Sequence, residues 1–367
     1  MELVEPDALP AEEKEWLAVR RFLEQNRFEL GIEAADGYPG LAKFFGTPLL
    51  TQPAWVPESP IDLGGIELEL TGEEPVRRSS RAYGAVLPAS YENYTDIYRK
   101  LAAPRVFENR GTYRLTAADL RTPPGRLRFG HGRYFDSLNT GEASAHAYAA
   151  QRLGRDPGSI RLAIDDPCDP ARRPVNLAVS ALTLRCDSSA GSADFFLHWR
   201  HPAKVGHAGG LFQVVPSGVF QASGEGEWNN ENDFSLVRFL AREFAEELGG
   251  RAEEYDNSTR GIDYGQWPFA RRLQAALDSG DTRIWCLGLG VDPLTFATDL
   301  LAVAVFESPV FAELFGGVVA DNDEGRVLAA RPFTGAEVRR LLAHERMQAA
   351  GAALLASAWH HRSHLLR

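Results

Sequence analysis

The chain has 367 residues, more than one hydrophobic core usually serves, so its length predicts two domains. A hydrophobic fraction of 44%, with 20 Phe, 10 Tyr and 7 Trp, excludes a disordered chain. The formal charge of -11, without any dense Lys/Arg run, argues against a nucleic-acid partner bound through its phosphates.

The cysteines and the N-terminus bear on the compartment. Cys168, Cys186 and Cys286 are odd in number and lack CxxC spacing, so we expect buried thiols rather than a disulfide framework or a zinc site. The acidic N-terminus lacks the features of a signal peptide. No stretch reaches the roughly 20 apolar residues that a spanning helix needs. We therefore expect a cytoplasmic protein with no membrane partner.

Residues 1–55 predict an N-terminal helix and arm. The helix covers residues 11–30, with Pro10 near its start and acids in its first turn. Its apolar side comprises Trp16, Val19, Phe22 and Leu23. Because one helix cannot bury that side alone, it docks on the body of the protein or on a second copy in a homodimer. The Gly- and Pro-rich sequence 36–60 predicts an irregular arm.

Residues 56–175 predict a smaller α+β domain. Alternating runs predict strands at 64–72, 84–91, 111–120 and 125–135, and helices are predicted at 90–101 and 140–153. A polar cluster favours a structural hydrogen-bond network; it comprises His131, Arg133, Tyr134, Asp136, Glu142 and His146. The Asp-, Pro- and Arg-rich sequence 165–173 predicts a domain link. Substrate cover and dimer contact both remain open as roles for this domain.

Residues 176–367 predict a sheet with helices on both sides. Strands are predicted at 175–186, 193–200, 209–221 (broken at Pro216-Ser217-Gly218) and 283–291, and residues 294–306 fit a strand or a buried helix. Helices are predicted at 335–342 and 348–366. A polar insertion at 222–232 precedes the stretch that carries the clearest chemical pattern.

That stretch runs from Asp233 to Gly250 and predicts a helix. Its apolar face comprises Val237, Leu240, Phe244 and Leu248, at steps of three and four residues. Glu243, Glu246 and Glu247 fall together on another face, near enough to share a divalent cation. A solvated face balanced by Arg238, Arg242 and Arg251 is the alternative.

The run Arg-Glu-Phe-Ala-Glu-Glu-Leu-Gly from Arg242 to Gly249 resembles the second half of the Nudix box. There, Arg-Glu, a bulky apolar residue, any residue, Glu-Glu, any residue and Gly follow in order. The family ends the preceding strand with a Pro-Gly or Pro-x-Gly turn, which Pro216-Ser217-Gly218 matches. The resemblance implies a Nudix-like α/β/α sandwich with a mixed sheet in the C-terminal half of the chain.

From about residue 55 to the end, the chain also resembles the C-terminal region of actinobacterial regulator-like proteins. The segments that carry this resemblance are GRYFDSLNTGEA, DDPCDPARRPV, ALTLR, HPAKVGHAGG, VVPSGVFQ, the Glu-rich helix and GLGVDPLTFATDLL. Such proteins usually begin with a helix-turn-helix. The first 60 residues lack that pattern, so we expect no DNA-binding part.

Two positions before the Arg depart from the Nudix pattern, and Gly250 stands where the pattern has an apolar residue. The family's Gly and Glu, 14 and eight residues before the Arg, are replaced by Trp228 and Phe234. The missing acid would come from the insertion or the residue after it, the candidates being Glu225, Glu227, Glu231 and Asp233. If one of them folds back to complete a metal site, an enzyme is favoured.

The resemblance implies a hydrolase that acts on a small-molecule nucleoside-diphosphate-linked or other diphosphate compound with Mg²⁺ or Mn²⁺. Glu246 and Glu247 would bind the metal, and Glu243 would bind it or orient a water. Arg242 would pair with an acid and hold the helix in place. Gly218 would contact the substrate, and Arg200 and Lys204 would bind its distal phosphate. The alternative for Arg200 and Lys204 is that they are solvated surface charges.

The altered loop leaves a second class open, a catalytically weakened Nudix-like protein that binds a nucleotide-type ligand as a sensor. Replacing Glu246 and Glu247 together by Gln is expected to abolish metal binding and leave the fold intact, because exposed acids cost little to neutralise. The acids Asp321, Asp323 and Glu324 predict a polar turn. The histidines His360, His361 and His364 predict a surface or interface helix rather than a metal site.

Overall fold

The structure is a computed structural model, and it describes residues 9–72, 78–104, 106–200, 210–250, 260–316 and 325–367. Lys204, the side chain of Arg200 and the predicted polar turn at Asp321, Asp323 and Glu324 lie outside this description. The described chain is a mixed α+β protein with a large mixed sheet, as predicted. No helix in the described ranges has the length and apolar character that a membrane span requires.

The described residues form short and long strands along the chain. They are β1 (Ala42–Lys43), β2 (Leu50–Thr51), β3 (Ile61–Asp62), β4 (Glu67–Leu70), β5 (Gly111–Asp119), β6 (Arg126–Arg133), β7 (Leu177–Asp187), β8 (Ser192–Phe195), β9 (Leu197–Arg200), β10 (Phe212–Val214), β11 (Ser217–Val219), β12 (Thr282–Val291), β13 (Thr298–Glu307), β14 (Gly325–Val327) and β15 (Arg331–Pro332).

The α-helices follow the same order. They are α1 (Ala11–Asp36), α2 (Tyr94–Leu101), α3 (Tyr134–Ser137), α4 (Ala143–Arg152), α5 (Ile160–Ile164), α6 (Glu227–Asn232), α7 (Leu236–Glu243), α8 (Pro268–Ser279), α9 (Ser308–Phe315), α10 (Gly335–His344), α11 (Ala349–His360) and α12 (Arg362–Leu365). Two π-helical segments, Leu138–Glu142 and Phe244–Leu248, adjoin α4 and α7. Short 3₁₀ turns lie at Phe44–Gly46, Pro53–Trp55 and Leu63–Gly65.

The large sheet is centred on β7 and β13, which run parallel. Strand β12 pairs antiparallel with β13, and β8 and β11 pair antiparallel with β7. Side chains alternate between the two faces of a strand. Val179 and Ala181 of β7 therefore join the core that contains α7, whereas Leu182 and Leu184 join the core that contains α11. Helices thus cover both faces of the central strands, as expected.

Helix α1 docks on the body of its own chain. Trp16, Val19 and Leu23 are buried, and its buried Arg20 and Arg27 pair with the buried carboxylate of Glu142 at 2.5 and 3.0 Å. The largest core takes residues from all three predicted segments of the chain. A homodimer stays a prediction, and so do the domain boundaries.

One strand prediction was wrong, and the structure assigns two segments whose secondary structure the sequence left open. Residues 84–91 form no strand, because turn hydrogen bonds such as Ala85 N–H to Ser80 O use their backbone groups. The polar insertion at 222–232 contains a helix, α6, and the ambiguous run at 294–306 contributes the strand β13. All three cysteines are free and buried, as expected.

Candidate functional site

The predicted Glu-rich helix is present as α7 followed by the π-helical segment. Ser235 caps it, because its hydroxyl accepts a hydrogen bond from the backbone N–H of Arg238. Leu240, Phe244 and Leu248 are fully buried against the sheet, so the apolar face was predicted correctly. Burial of this face fixes the side of the helix on which each acid lies.

Arg242 is buried and holds the start of this helix to the preceding loop. Its guanidinium lies 3.5 Å from the Asp233 carboxylate and donates hydrogen bonds to the Tyr264 hydroxyl at 2.5 Å and to the Gln221 carbonyl at 2.7 Å. Tyr264 in turn donates to Asp233 at 2.7 Å. Burial raises the pKa of Tyr264 well above its usual value, so this phenol remains a hydrogen-bond donor. The expectation that Arg242 pairs with an acid is confirmed.

Two of the three helix acids lie against adjacent residues of β11. A Cβ built on Gly218 would lie 2.4 Å from an oxygen of Glu243, so this carboxylate occupies the space that any larger residue would fill. Glu247 is 5% exposed, and its Oε1 accepts a hydrogen bond from the backbone N–H of Ser217 at 2.8 Å. The strand and the helix therefore meet through these carboxylates.

His198 of β9 lies beside Glu247. Its Nδ1 lies 3.6 Å from Glu247 Oε2, and its side chain is fully buried. No pattern in the sequence identifies this residue, because a single histidine in an apolar strand is indistinguishable from an ordinary core position.

Glu246 departs from the predicted grouping, since it is exposed whereas Glu247 is buried. A π-helical turn widens the winding, so residues four apart, Glu243 and Glu247, share a face and Glu246 points away from it. The expectation that both members of the Glu246–Glu247 pair are exposed is therefore wrong for Glu247. No group of three or more His, Cys, Asp or Glu side chains in the described ranges is placed to hold a metal ion.

The candidate acids around the insertion face other partners. Asp233 is buried on Arg242, and Glu225 contacts Arg133 at 3.5 Å and accepts from the backbone N–H of Gly111. Glu227 and Glu231 are exposed. Within the part of the chain that the structure covers, no hydrogen bond joins any of these four carboxylates to Glu243, Glu246 or Glu247; Asp233 instead pairs with Arg242.

The remaining predicted clusters have structural contacts. Glu142 neutralises two arginines, and His146 stacks on Trp16 with ring centroids 5.0 Å apart. His360 packs on Phe45, and His364 packs on Trp285. The histidines near the C-terminus thus contact aromatic rings, as expected of a helix packed by its side chains.

The chain was compared with protein-family models and with curated proteins. Neither comparison found a match.

Proposed function

We propose that this protein is a Nudix-like hydrolase that binds a small diphosphate compound at the surface formed by β11 and the Glu-rich helix. One observation carries the proposal: Glu243 and Glu247 reach the adjacent residues Gly218 and Ser217. This is where the sequence resemblance places a glycine turn and metal-binding acids.

The donor set suits Mg²⁺ or Mn²⁺. Mg²⁺ prefers oxygen ligands, and it is usually held by one or two protein carboxylates together with waters and substrate phosphates rather than by an all-protein cage. Glu243 and Glu247 would supply the two carboxylates, with exposed Glu246 as a further oxygen donor. The bound ion would neutralise the charge of the diphosphate and lower the pKa of a bound water.

The chain's own residues would position the reacting groups. Carboxylates repel a diphosphate in the absence of a cation, so these acids require the metal for ligand binding. Arg242, held by Asp233 and Tyr264, fixes the first turns of the helix and hence the position of Glu243. Arg200 and Lys204 remain our proposed contacts for the distal phosphate.

The test is a turnover assay with Mg²⁺ or Mn²⁺ on nucleoside diphosphate sugars, ADP-ribose, dinucleotides and prenyl diphosphates, with release of phosphate or monophosphate as the readout. We expect turnover that EDTA abolishes and that Glu243→Gln lowers by about 100-fold or more, the scale for losing one charge-stabilising group. Glu231→Gln, an exposed acid of the insertion, is the matched control and should retain full activity. Absence of turnover for every substrate would reject hydrolysis.

A second candidate is a catalytically weakened Nudix-like protein that senses a nucleotide-type ligand. The observation that favours it is that Asp233 pairs with Arg242 and Glu225 pairs with Arg133. Among the described residues, these acids of the loop therefore contact arginines rather than completing a metal site at Glu243. Equilibrium binding separates the candidates. Tight binding of one compound, without turnover and without Mn²⁺ bound at the helix, would select the sensor.

A further inference from the structure

A cleft of about 450 Å³ opens between α1, α4 and the loop at residues 81–89. The side chains that line it on the two helices recur at steps of three and four residues, so one face of each helix forms the cleft. They include Ala143, His146, Ala147 and Ala150 of α4 and Trp16 and Val19 of α1. We call this space the His146 cleft. No described residue of β11 or of the Glu-rich helix lines it, so it is separate from the proposed diphosphate site.

The walls of the His146 cleft are mostly apolar. The three alanines of α4 each present only a methyl group. The Trp16 ring stacks on the His146 imidazole, with ring centroids 5.0 Å apart and an angle of 19° between the ring planes. Val86 of the loop also lines the cleft and is 49% exposed, so a large apolar side chain faces solvent there. Small methyl groups beside stacked rings favour a flat, apolar ligand.

His146 is buried in this wall as a neutral hydrogen-bond donor. Its side chain is 7% exposed, and its Nδ1 lies 3.5 Å from the Tyr94 hydroxyl. Arg20 Nη1 donates to that hydroxyl at 3.2 Å, so the hydroxyl directs its own proton to His146 Nδ1. Burial, followed by the Arg20 charge, lowers the pKa of His146 to about 3, so the imidazole is neutral at neutral pH. A neutral imidazole that accepts at Nδ1 carries its proton on Nε2.

The Nε2 donor of His146 has no hydrogen-bond partner within the described ranges of the chain. The two nitrogens of an imidazole point in different directions, so Nε2 does not point at Tyr94, and the ring that carries it lines the cleft. A buried donor normally has a partner, and leaving it without one is costly. This N–H therefore favours a ligand that brings an acceptor.

The charged side chains of the cleft favour an uncharged ligand. Its two cations, Arg81 and Arg155, already have partners: Arg81 donates to two loop carbonyls at 3.0 and 2.7 Å, and Arg155 lies 3.5 Å from Glu15. A ligand carboxylate would therefore meet no unpaired cation among the described lining residues. It would also be repelled by the acids that line the cleft, which are Glu12, Glu15 and Asp156.

We propose that the His146 cleft binds a small, uncharged aromatic compound that carries a carbonyl oxygen. The aromatic ring would lie against Trp16 and the alanines of α4, and the carbonyl oxygen would accept a hydrogen bond from His146 Nε2. A volume of about 450 Å³ lies in the range of small-molecule sites. The apolar walls would bind the ring, and the single donor would orient it.

The test is equilibrium binding measured by calorimetry, with benzamide and coumarin as the probes and with EDTA present. Both probes are uncharged and aromatic and carry a carbonyl oxygen. Toluene lacks the oxygen, acetamide lacks the ring and benzoate adds a charge, so these three compounds are the controls. We expect at least one probe to bind about tenfold more tightly than each control, the scale of one hydrogen bond to a buried donor. EDTA removes the metal that the diphosphate site requires, so failure of that site would leave this result unchanged.

His146→Phe tests the role of the donor. This variant keeps a ring against Trp16 and removes Nε2, so it should bind toluene as the wild type does and lose the preference for the probe. A purely structural role for His146 would instead weaken binding of the probe and of toluene together, and the preference would remain.

Val86→Asp tests the location with little risk to the fold, because Val86 is half-exposed. It should weaken binding of the probe at least about tenfold, the scale for placing a charge against an apolar ligand. Leu162→Asp, at an exposed leucine that does not line the cleft, is the matched control and should bind like the wild type.

Thermal unfolding checks that each variant is folded, and if His146→Phe is not, the comparison of Val86→Asp with Leu162→Asp decides alone. The proposal is overturned if neither probe binds or if any control compound binds as tightly as the probes. It is equally overturned if folded His146→Phe keeps the preference for the probe over toluene, or if Val86→Asp binds like the wild type.

Discussion

The carboxylate of Glu243 lies over the Cα of Gly218, where a Cβ would come within 2.4 Å of Glu243 Oε2. Strand β11 can therefore approach the helix only because residue 218 has no side chain. The contact joins the glycine turn and the acidic helix, which lie 25 positions apart in the sequence.

Gly218→Ala should displace the Glu243 side chain. Overpacking of this kind costs about 1 to 3 kcal/mol of unfolding free energy. Under the proposed function, it should also weaken Mn²⁺ binding about tenfold, which corresponds to about 1.4 kcal/mol. Urea unfolding and a Mn²⁺ titration measure the two effects. Gly40→Ala, at an exposed glycine with nothing near its Cβ position, is the control and should change neither. If Gly218→Ala changes neither the unfolding free energy nor the Mn²⁺ affinity, the Glu243 carboxylate does not lie against Gly218.

The Arg242, Asp233 and Tyr264 contacts predict a graded loss of stability. Tyr264→Phe removes one buried hydrogen bond in each direction and should cost about 1 to 3 kcal/mol. Asp233→Ala leaves the buried guanidinium of Arg242 without its carboxylate and should cost about 3 to 5 kcal/mol. Chemical denaturation measures both, with exposed Asp278→Ala as the control. Equal losses for the two variants would contradict a buried ion pair at this position.

The elements that were predicted correctly lie in the sheet or pack against it, because their burial there sets the spacing of their apolar residues. Strands β7 and β12 were predicted from long apolar runs, and the helix at α7 from the spacing of Leu240, Phe244 and Leu248. The strand predicted at 84–91 failed because its backbone is used by turns. Helix α8 was not predicted, although Pro268 begins it and Leu273 and Ala276 are buried.

The site was only partly predictable for a physical reason. The π-helical segment at Phe244–Leu248 differs from an α-helix in its backbone hydrogen bonds, and the spacing of apolar residues in the sequence does not reveal that difference. The burial of Glu247 depends on Ser217, 30 positions earlier, and the neighbouring His198 belongs to another sheet. The pairing of Arg242 with an acid was predicted without naming the acid, and Asp233, which lies 3.5 Å from it, was predicted only as a candidate for the missing metal-site acid.

Glu142 should be the main electrostatic attachment of α1. Its buried carboxylate pairs with Arg20 and Arg27, so Glu142→Gln leaves two buried guanidinium groups without their shared anion. The expected cost is about 3 to 5 kcal/mol, with faster proteolysis at the ends of α1. Glu24→Gln breaks only the Arg20 contact on the half-exposed side of α1 and should cost at most about 1 kcal/mol. Similar losses for both variants would show that burial of Glu142 does not determine its contribution.

His146 should make stability depend on pH. Burial, and then the nearby Arg20 charge, lower the pKa of His146 from 6.5 to about 3. As pH falls below 6.5, the unfolded chain takes up a proton that the folded chain does not bind until about pH 3, so stability decreases across that window. Between pH 7 and 5 this residue should account for a loss of about 2 kcal/mol, at up to about 1.4 kcal/mol per pH unit.

His146→Gln should remove that part of the loss, so denaturation at the two pH values should show a smaller decrease for the variant than for the wild type. The Gln amide can still accept from the Tyr94 hydroxyl, which lies 3.5 Å from His146 Nδ1. Ser144→Ala, a non-titrating change on the same buried helix, is the control and should keep the wild-type decrease. Parallel pH dependence in all three proteins would mean that His146 binds its proton equally well in the folded and unfolded chains.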